Sequence, residues 1–282
     1  MSLCYDKICR NLLFLNQINY FRALILENHM SKIRVSAVRY TNSIPFIYGL
    51  QNYSLEDEMS LSLDTPADCY HNLLSGNADI GLVPVVLKSQ IPSLRQVSDF
   101  GIGANGNVLS VIMVAQVPIT QVKTIFLDYQ SKSSVMLIRL LCRDFWNIAP
   151  EFREALPGFE QKAYNATEAR LIIGDRAFHF HKQKDIFVTD LAGEWTKYTG
   201  LPFVFAFWAS LKVLPEGFEE KFNGALNFGM THKVRLAKEL AGNPEFASIN
   251  LPVYLNENII HEISPPMREG MNLFLHLIRD FQ

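Results

Sequence analysis

The chain has 282 residues, 49% of them hydrophobic and 19% charged, with a formal net charge of -2. That length holds one large domain or two lobes of ordinary size, and the even charge balance offers no basic excess for nucleic acid and no acidic tail. The four cysteines (Cys4, Cys9, Cys69, Cys142) show no CxxC spacing, which argues against a disulfide framework or a zinc site and reads as a reduced, cytoplasmic chain.

Residues 1–29 read as an extension ahead of the fold, or as an extra helix packed on it. Their apolar stretch is broken by Asn16, Gln17, Asn19 and Arg22, so it is neither a membrane span nor a secretory signal. A natural beginning is Met30. The apolar run Ile33, Val35, Ala37, Val38 predicts a strand buried on both faces. It leads into Tyr40-Thr41-Asn42-Ser43-Ile44-Pro45, with the proline placed to open a helix. Polar groups at a strand's carboxyl end are site candidates, because ligands of open α/β sheets bind there.

A short strand is expected over residues 61–63, then a helix capped by Thr65, opened by Pro66 and closed at Gly76. Residues 79–85 read as the next buried strand. The turn-like Gly103-Ala104-Asn105-Gly106 precedes another, over residues 108–117. A second set begins near Thr120, with strands over 124–127, 169–173 and 186–188. Between the first two, residues 131–145 carry Val135, Ile138, Leu141, Cys142 and Phe145 at helical spacing. Residues 203–209 are almost wholly apolar and read as a buried strand. Beyond Pro215 the pattern turns helical to the end, with Phe222, Ala225, Leu226 and Met230 on one face and Met271, Leu275 and Ile278 on another. The alternation predicts a largely parallel α/β sheet, or two. The lobes are expected at residues 30–118 plus 209–282 and at 119–208, with a cleft between them.

Six segments in order then carry a resemblance: YTNSIP with Asn42 and Pro45, GNADIGLVPV (76–85), SVIM (110–113), SSVMLIRLL (133–141), LIIGDRAF (171–178) and DLAGEWTKYTGLPFVFAFW (190–208). Together they resemble the chorismate dehydratases of the futalosine route to menaquinone, from residue 32 to the carboxyl terminus. Arg39, Thr41 and Ile44 depart from that pattern. The resemblance implies a periplasmic-binding-protein type II fold, two α/β lobes with a ligand cleft between them. It implies loss of water from chorismate, giving 3-[(1-carboxyvinyl)oxy]benzoate, with no cofactor and no metal. The related 1,4-dihydroxy-6-naphthoate synthase shares the architecture. A solute-binding protein for a small carboxylate would also use this fold. The effector domain of a regulator would need a DNA-binding helix-turn-helix, and residues 1–29 read as too short and not basic for one.

Chorismate is a dianion, so the cleft must offer donors. The first turn of the 131–145 helix carries free N–H groups and partial positive charge, with Ser133, Ser134 and Val135 beside it. A serine there can instead be the helix cap. Asn42 is the expected catalytic residue, with Ser43, Ser110, Gly174 and Asp175 as further substrate contacts. Asn42 cannot be the base, since an amide only donates and accepts hydrogen bonds. The expectation is therefore substrate-assisted: Asn42 and the helix terminus orient chorismate so that its own side-chain carboxylate removes the proton. Asp190 and Trp195 read as a helix cap and core packing. His179 and His181 could bind a metal on a strand, but read as an exposed loop pair. The expected partner is the small-molecule substrate, with no nucleic acid and no membrane; a homodimer is left open.

Overall fold

β1 (Ile33–Val38) forms where the sequence places its apolar run, and its last four residues are buried. The computed structural model describes residues 32–162 and 165–281; the extension at 1–29, with Cys4 and Cys9, lies outside the described residues. From β1 the chain passes through a 3₁₀ turn at Thr41–Ser43 into α1 (Ile44–Asn52), with Pro45 in its first turn. β2 (Met59–Asp64) and β3 (Ile80–Pro84) lie parallel to β1 on either side of it. They are joined through α2 (Pro66–Leu74), whose cap Thr65 accepts the Asp68 N–H at 3.2 Å. Gly76 follows that helix in the left-handed region, at φ +72°, as a helix-ending glycine should.

Three more strands complete this sheet: β4 (Arg95–Ala104), β10 (Phe203–Ser210) and β11 (Ile260–Glu262). The order is β11-β4-β10-β3-β1-β2. A second, five-stranded sheet holds β5 (Val111–Ala115), β6 (Thr124–Leu127), β7 (Glu151–Glu154), β8 (Glu168–Ile173) and β9 (Phe187–Asp190), in the order β7-β6-β8-β5-β9. Each sheet is the centre of a lobe. The expected lobe limits at 118 and 209 therefore move. β5 hydrogen-bonds into the second sheet, β10 into the first, and the crossovers are residues 105–110 and 200–202. An all-apolar strand is buried whichever sheet receives it, so its own sequence cannot assign it.

The sheets are mixed rather than largely parallel: β10 runs antiparallel to β3 and β4, and β5 antiparallel to β8 and β9. Strands β4, β7 and β11 were not legible in the pattern. β4 carries Gly101 and Gly103 where alternation would want side chains. A Cβ on these would lie 2.6 Å from Ala206 O and 2.5 Å from Phe203 O, so these glycines let β4 approach β10 closely.

Among the other helices are α3 (Lys132–Leu140), α4 (Leu191–Thr199), α5 (Phe218–Leu240) and α6 (Pro265–Leu277). The helix expected over 131–145 is α-helical to Leu140 and continues as a π turn, Leu141–Phe145. Helix α5 meets α1 backbone to backbone at two glycines, beside the stacked rings of Tyr48 and Phe228. A Cβ on Gly49 would sit 2.1 Å from Ala225 O, and one on Gly229 1.9 Å from Pro45 O. Phe46, fully buried, fills the space below against Trp208 and Phe100, burial that contributes about 1.5–3 kcal/mol. These contacts fix α1, and with it the turn carrying Asn42. Among the described residues no helix is long and apolar enough to cross a membrane.

Candidate active site

The carboxyl ends of β1, β3 and β8 converge on a cleft between the lobes, about 550 Å³ counting the solvent at its open mouth. The first lobe contributes Val38, Tyr40, Asn42, Pro66, Leu82, Pro84, Ile102, Phe205 and Ala206. Across it stand Val108, Ser110, Val111, Ser131, Ser134, Ile173 and Gly174. The floor is apolar, and polar groups converge at a few points, as in a small-molecule site.

Asn42 is 9% exposed. Its Oδ1 accepts the Ser43 hydroxyl at 3.1 Å, and its amide also hydrogen-bonds the Tyr254 hydroxyl. Its backbone carbonyl accepts from His261 Nε2 at 2.8 Å. Behind it, the buried Tyr254 hydroxyl lies beside the Asn42 amide and donates to Ser110 Oγ at 2.9 Å. Burial pushes the Tyr254 phenol far above its ordinary range, so it stays a neutral donor.

On the opposite wall α3 presents its amino end. Ser131 is the cap: its Oγ accepts the Ser134 N–H at 3.2 Å and pairs with Ser134 Oγ at 2.8 Å. The N–H groups of Lys132 and Ser133 precede the helical ladder and, with the helix dipole, favour an anion. Of the expected contacts, Asn42, Ser110, Ser134 and Gly174 line the cleft, whereas Ser43, Ser133, Val135 and Asp175 do not. Ser43 is spent on Asn42. Ser133 faces the first lobe, its Oγ accepting the Val86 N–H at 3.5 Å. Val135 is half-buried against the core. Asp175 turns to the first lobe, both oxygens accepting the Thr41 N–H at 3.1 and 3.2 Å. Burial raises that carboxyl, opposed by those hydrogen bonds. It ties the lobes together at the turn that holds Asn42.

Gly174 has φ +67° and lies under the Tyr40 ring. The Tyr40 hydroxyl donates to Gln130 Oε1, and burial lifts the phenol well above its usual range. Beneath this pair, Asp128 accepts from Arg176 Nη2 at 2.6 Å and from the N–H of Gln130 and Ile173. Burial pushes the Asp128 carboxyl up to about 6 against the pull of Arg176. Asp190 caps α4 through the N–H groups of Ala192 and Gly193. It also holds those of Val108 and Leu109 at 3.1 and 2.7 Å. That grip keeps Leu109 at φ +63° and sets Ser110 on the cleft wall. Trp195 is wholly buried.

Sequence reading missed Tyr40, Ser131, Asp128, Arg176, Tyr254 and His261. Tyr40 and Arg176 stood inside the YTNSIP and LIIGDRAF segments, and Ser131 opened the expected helix, without a site role given to any of them; the others carry no local signal. His179 and His181 are exposed and bond separately, to Ser248 Oγ and the Leu109 carbonyl. Among the described residues no group of His, Cys, Asp and Glu is placed to hold a metal ion. Cys69 and Cys142 are free and buried, and burial pushes both thiols up to about 12.

A family profile described as menaquinone biosynthesis matches residues 33–280. The chain belongs to that family. It is 30% identical over 189 residues to a protein named chorismate dehydratase from Thermus thermophilus, a match covering 61% of this chain and 67% of that one. Among solved structures it is similar to protein AF1704 from Archaeoglobus fulgidus (TM-score 0.61, 13% identity, 90% of this chain and 99% of that one). It is also similar to the alkanesulfonate-binding protein SsuA from Xanthomonas axonopodis (TM-score 0.62, 13% identity, 89% and 93%). The periplasmic SsuA from Escherichia coli matches at TM-score 0.56 with 16% identity, over 89% and 92% of the chains. These likenesses show the fold alone: that of the periplasmic binding proteins, two lobes about a ligand cleft.

Proposed function

We propose that this member of the family is a hydro-lyase that removes water from chorismate, giving 3-[(1-carboxyvinyl)oxy]benzoate. Family membership and the name of the Thermus relative support the substrate. The observation that carries the mechanism is the character of the cleft wall. Its polar groups are uncharged hydrogen-bonding ones (Asn42, Ser110, Ser131, Ser134 and the α3 terminus), and among the described residues the only titratable side chain lining it is Tyr40. With its phenol raised by burial, Tyr40 is no base at neutral pH. The base then comes with the substrate.

In this reading one chorismate carboxylate lies against the α3 terminus and Ser134. The Asn42 amide donates to the enolpyruvyl end and turns the side-chain carboxylate toward the ring proton. That carboxylate takes the proton from the carbon bearing the ether oxygen. The electron pair forms the new ring double bond as hydroxide leaves the neighbouring carbon, and proton and hydroxide together make the water lost. Aromatisation drives the step, and orientation of an internal base lowers the barrier by as much as ~7–11 kcal/mol. The reaction so written uses no cofactor.

The test is incubation of the purified chain with chorismate, followed by liquid chromatography and mass spectrometry. The expected product is one water lighter, and Asn42→Ala makes little of it. Asn42→Asp, which sets a negative charge beside a dianion, is expected to be as poor. Near-normal turnover by Asn42→Ala would remove Asn42 from the mechanism. An unchanged chorismate peak with thermal stabilisation by chorismate would make the chain a carboxylate-binding protein instead.

A further inference from the structure

His261 enters the site from far away in the chain. It sits on β11, at the edge of the first sheet, and reaches the Asn42 carbonyl 219 residues earlier. A carbonyl oxygen only accepts, so Nε2 carries the proton and the imidazole is the neutral Nε2–H tautomer. Its other nitrogen, Nδ1, has no hydrogen-bond partner among the described residues. The ring is 2% exposed and stands edge-on to Phe46, centroids 5.1 Å apart at 89°. His261 does not line the cleft, and its proton is committed to Asn42, so it is no acid or base for a bound ligand.

The turn explains why such a residue is needed. In a 3₁₀ turn a carbonyl accepts from the N–H three residues on. For Asn42 that residue is Pro45, which has no N–H. The proline that opens α1 therefore leaves the Asn42 carbonyl short of its local donor, inside the protein.

We propose that His261 is a positioning residue: its Nε2–H supplies the hydrogen bond that Pro45 cannot, and so holds the turn that aims the Asn42 amide into the cleft. The kinetic part of its test rests on the dehydratase reading; the spectroscopic part does not. Burial holds the imidazole at about 3, so it keeps this one form through the neutral range.

Three variants separate a positioning role from a filling one. His261→Phe keeps a ring and removes the donor. His261→Gln puts an amide N–H where Nε2 was. His261→Asn is too short and presents its amide near the Nδ1 position. Leaving a buried carbonyl unpaired is expected to lower kcat for chorismate about tenfold or more in His261→Phe, with KM moving far less. His261→Gln recovers most of the loss and His261→Asn does not. On the unaltered protein, ¹⁵N spectra of the histidine side chains should show one imidazole fixed as Nε2–H, missing from His261→Gln. The Asn42 side-chain amide signals should shift in His261→Phe and return in His261→Gln. Wild-type kcat in His261→Phe, equal losses in Phe and Gln, or an Nδ1–H signal for His261 overturns the proposal. If the unaltered protein leaves chorismate untouched, the dehydratase reading falls, and the histidine and Asn42 amide signals still decide the role of His261. If His261→Phe does not fold, the tautomer on the native chain and the Asn42 amide signals in His261→Asn, expected to shift, and in His261→Gln, expected not to, decide it; unshifted Asn42 signals in His261→Asn overturn the proposal.

Discussion

Replacing Gly174 by alanine tests the cleft wall most directly, because two separable costs meet there. The first is backbone strain. Gly174 has φ +67°, and an L-residue in the left-handed region costs roughly 1–2 kcal/mol. The second is collision. The new Cβ would lie 2.5, 2.6 and 2.8 Å from Tyr40 Cζ, Cε2 and Cε1. The ring cannot swing aside freely, since its hydroxyl is held by Gln130, and the Gly174 N–H is fixed to Ser110 O at 2.8 Å. Forcing a methyl into such a site adds about 1–3 kcal/mol. Gly76→Ala is the control, because Gly76 has φ +72° and nothing within 4 Å of the added Cβ. Urea denaturation of the two variants should place Gly174→Ala at least ~1 kcal/mol below Gly76→Ala, roughly 2–4 °C in Tm. Tyr40, displaced on the cleft wall it lines, should also cost Gly174→Ala most of its turnover, while Gly76→Ala keeps its own. Equal destabilisation would mean that Tyr40 does not cover Gly174, and the described wall would be wrong.

Other outcomes follow from the same geometry. Asp190→Ala loses a helix cap and orphans the N–H groups of Val108 and Leu109, so Tm should fall by roughly 4–8 °C or more, at least ~2 kcal/mol; a change below about 1 °C would refute the grip on the crossover. Ser134→Ala should raise KM for chorismate about tenfold through a lost bond to a charged group, with Tm nearly constant; an unchanged KM would move the carboxylate elsewhere. For pH, the imidazole of His261 titrates near 6.5 in the unfolded chain and at about 3 when folded. Between those values the unfolded state binds the extra proton, so this contribution to stability is present above pH 6.5 and is lost as pH falls toward 3. The stability of the native chain relative to His261→Gln should fall by up to about 1.4 kcal/mol per pH unit in that window. Asp128, raised to about 6, biases stability the opposite way but is common to both proteins and cancels. A flat difference by chemical denaturation would show that His261 is not held neutral.

Much of this protein was legible along the chain, where the physics is local. Thr65, Pro66 and Gly76 set the limits of α2 because capping and a positive φ act within one turn. The apolar runs at residues 33–38, 80–84 and 203–210 could only be buried strands, and the polar turn after the first held Asn42 at a strand's carboxyl end. Ser131 to Ser134 announced a helix amino terminus, although which serine caps it needed coordinates.

What the tertiary structure alone decided depends on pairing between distant segments. An apolar strand is equally stable in either sheet or direction, so the lobe boundary and the antiparallel β10 followed from hydrogen-bond partners. Asp175, adjacent to a cleft glycine, was turned away by the Thr41 N–H, a group 134 residues earlier. Tyr254, Asp128 and His261 carry no local signal because each acts on a partner remote in sequence. His261 is the clearest case: Pro45 removes a donor at the start of the chain, and only folding brings a histidine from its far end to replace it.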